Sequence, residues 1–188
     1  RAGIIAGKNA TSFVPKANVK GTEFLKMVLV VLGYDQNKEG LVGSSWAVNT
    51  LELAKDKGLM KGLDNFDANA ALTRGDAAKL FANLLRCETK EGGAFAATLG
   101  ETVNNVILVS SNATALDGTA GAMETSDGSV YKMAGKSGSG LLNGRKGTLI
   151  LDKSGRVMTF LAAATGASRT VTLASASSTQ IVDSKGVK

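Results

Sequence analysis

The chain has 188 residues, enough for one large domain or two small ones. Hydrophobic residues make up 44% and aromatics only 5%, so its core must draw mainly on Ala, Val and Leu, and no apolar run approaches the length of a membrane span. A net charge of +6 scattered without a polybasic block argues against a nucleic-acid footprint, while one cysteine and no histidine exclude an internal disulfide and most transition-metal sites.

In chain order, the sequence opens at Arg1 rather than Met, and Ala2-Gly-Ile-Ile-Ala-Gly7 reads as the middle of a repeat. The chain is therefore expected to start inside a longer precursor. Val19-Lys-Gly-Thr-Glu-Phe-Leu-Lys-Met27 leads into a helix predicted over Gly21 to Leu32, with Gly33 as its stop. A second helix is predicted over Trp46 to Lys57, where Trp46, Ala47, Leu51 and Ala54 form one apolar stripe. Ser44 or Ser45 can cap it and Gly58 ends it. A third helix is predicted over Gly75 to Leu85. Thr73 is placed to cap it, with Asp76 as the matching carboxylate three residues on. Asp64, Asn65, Asp67 and Asn69 lack the spacing of a calcium loop and read as a turn.

Glu88 to Gly93 is polar and reads as a linker. Beyond it lie short β-prone segments: Val103 to Val109, Val130 to Met133, Thr148 to Leu151, Arg156 to Leu161, Thr170 to Leu173 and Gln180 to Val182. Turns at Thr125 to Gly128 and Asp152 to Gly155 separate some of them. The expected fold class is α+β, with helical repeats over residues 1–90, the first incomplete at its start. A small antiparallel β domain is expected over residues 95–188, continuing beyond the chain end.

The front of the chain contains an internal repeat. Ala2 to Gly7 aligns with Lys57 to Gly62. Phe13, Val19, Glu23 and Lys26 align with Phe66, Leu72, Asp76 and Lys79, fifty-three residues further on. The pattern is an aromatic helix, then Gly58-Leu-Met-Lys-Gly62, then Phe66, then Leu72-Thr-Arg-Gly-Asp76. This pattern resembles the S-layer homology family over roughly residues 1–87. The resemblance implies an extracellular protein of the bacterial cell surface that binds a pyruvylated secondary cell-wall polysaccharide between its repeats. It makes Arg74 the leading ligand contact, with Trp46, Gly62 and Asp76 in support. In the first copy Gly21 stands where the arginine would be, and Lys20 is the nearest cation. The β segments from Gly144 to Leu161 are similar to those that follow such repeats in surface-layer proteins.

Two roles stay open for each prominent residue. Arg74 could bind an anionic sugar, since a guanidinium pairs well with a carboxylate, or it could pair with Asp76 or Asp67 to fix the helix start. Trp46 could stack on a sugar or belong to the core. Cys87 reads as a half-buried structural thiol. Gly138-Ser-Gly140 with Gly144 reads as a flexible turn rather than a phosphate loop. With no histidine to activate a serine, no catalytic site is expected, nor any cofactor or metal. The expected function is a structural surface protein, with the polysaccharide and further copies of the chain in an oligomer or array as partners. No nucleic acid and no membrane insertion are expected. The alternatives are a self-assembling lattice or filament subunit that binds no polysaccharide, or the anchor region of a larger exoenzyme.

Overall fold

A computed structural model of the chain describes residues 4–5, 7, 11–135, 140–164, 173–176 and 181–183. The chain forms two compact units, Arg1–Thr98 and Leu99–Lys188. Three helices followed by an antiparallel sheet bear out the α+β expectation.

The first unit holds α1 (Gly21–Val31), α2 (Trp46–Asp56) and α3 (Arg74–Leu84), each within a residue of its predicted ends. α1 and α2 stop for the same reason. Gly33 and Gly58 take φ of +96° and +73°, in the left-handed region that glycine enters without a Cβ clash. The next amide then reaches back across the last turn, Tyr34 N–H to the Leu29 carbonyl at 3.1 Å and Leu59 N–H to Ala54 at 3.0 Å. This double-bonded glycine cap sends Tyr34 and Leu59 into the core. Leu25, Val28, Leu29 and Leu32 of α1 pack there with Leu41, Ala54, Leu59, Leu63, Leu80, Leu84, Cys87 and Phe95.

The predicted linker at Glu88–Gly93 is instead a tight turn fastened to the helical unit. Glu88 bridges Ala94, the Thr89 hydroxyl donates to Gly92, and Lys90 N–H donates to the Leu32 carbonyl at the end of α1. Polar composition misled here because these side chains bond locally or cap a helix, which polar residues do as readily as they solvate a linker.

A short 3-10 turn, Phe95–Thr98, ends the first unit, and the second begins with β1 (Glu101–Thr114), the long central strand. The order across the sheet is β3 (Val130–Tyr131), β2 (Ala120–Thr125), β1, β4 (Lys146–Leu151) and β5 (Val157–Ala162), all neighbours antiparallel. β1 pairs with β4 up to Ile107 and with β2 from Leu108, and the register shifts at Asn105, whose φ is +61°. This bulge bends the strand. The sheet curls until Met133, just past β3, bridges Val157 at the start of β5. Val106, Leu108, Met123, Leu149, Leu151, Val157 and Phe160 fill its interior. A Cβ on Gly147 would lie 2.6 Å from the Phe160 ring, so glycine is required where the sheet closes on that ring.

The two predicted turns are present. Asp152 N–H donates to the Arg156 carbonyl at 2.8 Å, and Gly128 N–H to Thr125 at 2.9 Å. β2 lay outside every predicted segment because Ala-Gly-Ala-Met carries little intrinsic strand preference, and its place is set by burial of Ala122 and Met123. β6 (Leu173–Ala176) and β7 (Ile181–Asp183) form a separate two-stranded ribbon. Residues 170–172 and 180 of the last two predicted strands, and 138–139 of the glycine-rich turn, lie outside the described residues.

Candidate functional site

The two copies of the helix start are joined to each other. Leu72 N–H donates to the Val19 carbonyl at 2.8 Å, and Lys20 bridges Ala71 in antiparallel fashion. Gly21 N–H and Thr22 N–H donate to Ala70 and Ala68 at 3.2 and 2.9 Å, and the buried Thr22 hydroxyl also donates to Ala68 at 2.7 Å. The repeat thus brings the backbones around Lys20 and Thr73 to one edge of the unit.

Their local chemistry differs. Thr73 caps α3 as expected: its hydroxyl accepts from Asp76 N–H at 3.1 Å and donates to the Asp76 carboxylate at 2.6 Å. Asp76 is therefore engaged at the helix start. Lys20 caps α1 without an acceptor on its side chain. The return bond is made, from Lys20 N–H to the Glu23 carboxylate at 2.9 Å.

Arg74 is the first residue of α3 and is exposed. It forms no ion pair with Asp76 or Asp67 among the described residues. Asp67 is instead turned inward on its own loop, accepting from Asn69 and Ala70 N–H at 2.8 and 3.2 Å. At the equivalent position on α1 a side chain would meet packed atoms. A Cβ on Gly21 would sit 2.5 Å from the Phe66 ring and 3.1 Å from the Ala68 Cα. The missing guanidinium of the first copy has a packing cause.

Gly62 lies on the loop before Phe66 with φ of +70°. The Lys79 ammonium donates to its carbonyl at 3.1 Å, and Asn83 donates to the Leu59 and Lys61 carbonyls at 2.7 and 2.9 Å. Gly62 is thus held beside α3, the helix that begins with Arg74.

Trp46 stands at the start of α2, half-buried, with the Lys26 ammonium 5.8 Å from its ring centre. Burial holds the Lys26 pKa below the usual lysine value. Both line a groove of about 500 Å³ between α1, residues 41–46, residues 13–19 and Ile4, Ile5 and Gly7. Phe13, Val14, Met27 and Leu41 make it mostly apolar, and Arg74, Asp76, Gly62 and Lys20 do not line it. The structure therefore separates the five candidates: Arg74, Asp76 and Lys20 on the paired helix starts, Gly62 along α3, and Trp46 in the groove. Lys26 was not singled out from the sequence as a site residue, although its alignment with Lys79 marked it as a repeated position.

Cys87 is buried, its thiol donating to the Lys57 and Asn83 carbonyls at 3.2 and 3.3 Å. Burial raises its pKa, which keeps it in the unreactive thiol form. No helix among the described residues is long and apolar enough to cross a membrane.

Residues 42–78 match the family model of the S-layer homology domain. The match takes in Trp46, Gly62, Arg74 and Asp76 and leaves Lys20 outside. No curated protein and no solved structure matches the chain.

Proposed function

With an S-layer homology domain at residues 42–78 as the premise, which associates the chain with the bacterial cell surface, we propose that the helical unit anchors it by binding an anionic cell-wall polysaccharide at Arg74. The observation that carries this reading is the unspent guanidinium. Arg74 occupies the first turn of α3, where the helix dipole disfavours a cation, and it forms no ion pair among the described residues. It does nothing for the helix that a neutral residue would not do better. An exposed guanidinium at a helix N-terminus is a suitable partner for a sugar carboxylate. Lys20 supplies a second, less directional cation on the bridged edge. Asp76 and Gly62 shape this surface, and Trp46 offers a stacking face only where Lys26 moves off it.

The test is cosedimentation of the full chain with purified cell wall. Arg74→Ala should abolish or strongly weaken sedimentation while leaving the circular dichroism unchanged, and Lys20→Ala should weaken it less. Equal sedimentation of wild type and Arg74→Ala would sink the reading.

A second reading, favoured by the glycine at position 21, is that the repeats serve assembly and the β unit contributes to a surface array with no polysaccharide bound. Ordered arrays formed without cell-wall material, by both wild type and Arg74→Ala, would support it.

A further inference from the structure

One arginine of the second unit stands without a partner. Arg145 precedes β4 by one residue, and strand alternation puts it on the side of Gly147, Leu149 and Leu151, which faces the interior of the sheet. Lys146 falls on the other side, opposite the exposed Ile107. The backbone of Arg145 is fixed: its N–H donates to the Leu142 carbonyl and its carbonyl accepts from Leu108 N–H, each at 3.0 Å. Leu108 is fully buried, and Leu142 packs against the same core. The Arg145 side chain is half-buried, and its Nε is buried with no hydrogen-bond partner.

No carboxylate among the described residues pairs with this guanidinium. Three aspartates of the unit are spent elsewhere. Asp117 pairs with Lys132, Asp127 accepts from the Thr125 hydroxyl and Ser129 N–H, and Asp152 pairs with Arg156. Arg156 shows what Arg145 lacks: its Nε and Nη2 both reach the Asp152 carboxylate, at 2.9 and 2.8 Å. A buried charged donor left unmet costs free energy, so the vacancy calls for an acceptor. We infer that Arg145 anchors an oxyanion site where β4 begins, and that the group it takes is a carboxylate from outside the chain. A guanidinium offers one positive charge and a planar fork, and a carboxylate matches both. A phosphate dianion brought to a single half-buried cation would keep an unmatched charge. The site is separate from Arg74, and its use does not depend on polysaccharide.

Sodium acetate is the probe, titrated into the isotope-labelled full chain against sodium chloride at equal ionic strength. The Arg145 Nε–H resonance, assigned by its loss in Arg145→Met, should shift saturably, with half-saturation at millimolar acetate. Chloride and phosphate should move it little. In chloride, Arg145→Met should melt at the wild-type temperature or above, because it removes an unmet buried donor. It should also lose the rise in melting temperature that acetate gives the wild type. If Arg145→Met does not fold, Arg145→Lys replaces it, keeping the charge without the fork and binding acetate more weakly. Glucuronate and a blocked glutamate, titrated in the same way, separate a sugar acid from a protein side chain as the source. An Nε–H resonance that acetate leaves in place, as it would with water serving the group, overturns the inference. So does an equal response to phosphate, or a folded Met variant that melts lower and keeps its response to acetate.

Discussion

α1 and α3 are two copies of one helix, and the molecule treats them differently. α1 is gripped at its start by backbone bonds to Ala68 and Ala70, and its broad apolar face lies in the core. α3 lends the core only a narrow stripe, Leu80 and Leu84, and leaves its first turn and its other apolar face in solvent. A repeated element can thus keep its backbone and exchange its surface: one copy buries its apolar face and the other leaves its own largely exposed. The larger residues sit on the buried copy, Leu25 and Leu29 standing at the positions that correspond to Ala78 and Ala82.

The largest expected effect follows directly. Leu29→Ala removes a fully buried side chain and should cost about 2–5 kcal/mol. Ala82→Leu, the reverse change at the equivalent exposed site, should alter monomer stability by no more than about 0.5 kcal/mol. Urea titrations of both variants would check this, and equal costs would erase the distinction between the two helices.

Next come the glycines at the two starts. Gly21→Ala sets a Cβ against the Phe66 ring and the Ala68 backbone, and should destabilise by about 1–3 kcal/mol. Gly75 lies in the first turn of α3, where the nearest atom to an added Cβ is the Thr73 hydroxyl at 3.8 Å. Gly75→Ala should therefore stabilise by about 0.5–1 kcal/mol. The same substitution carries opposite signs, and thermal melts of the two variants would read them.

The helices were legible in the sequence because their signals are local. The 3.6-residue spacing, the cap at Thr73 and the terminal glycines at positions 33 and 58 act within a few residues of themselves. The short β2 and the full length of β1 were not legible, because they depend on what packs against them across the sheet. The site divides along the same line. Arg74 and Asp76 could be read from their motif, but nothing local showed that Phe66 would close over Gly21, or that Lys26 would reach the Trp46 ring. Those contacts join residues far apart in sequence.

The smallest effect separates the two caps. Lys20 and Thr73 have nearly the same backbone, with φ and ψ of −77° and 156° against −80° and 157°, so the cap geometry is already built on α1. What Lys20 lacks is a side-chain acceptor, since an ammonium has no lone pair to offer. Thr73→Ala should cost about 1 kcal/mol, and Lys20→Thr should return a few tenths to about 1 kcal/mol, because threonine is a better N-cap residue than lysine. If Lys20 also contributes its charge to the polysaccharide, Lys20→Thr should raise the melting temperature and weaken cell-wall sedimentation together. A variant that becomes more stable with unchanged sedimentation would leave Arg74 as the sole cation of the site and Lys20 as an imperfect cap.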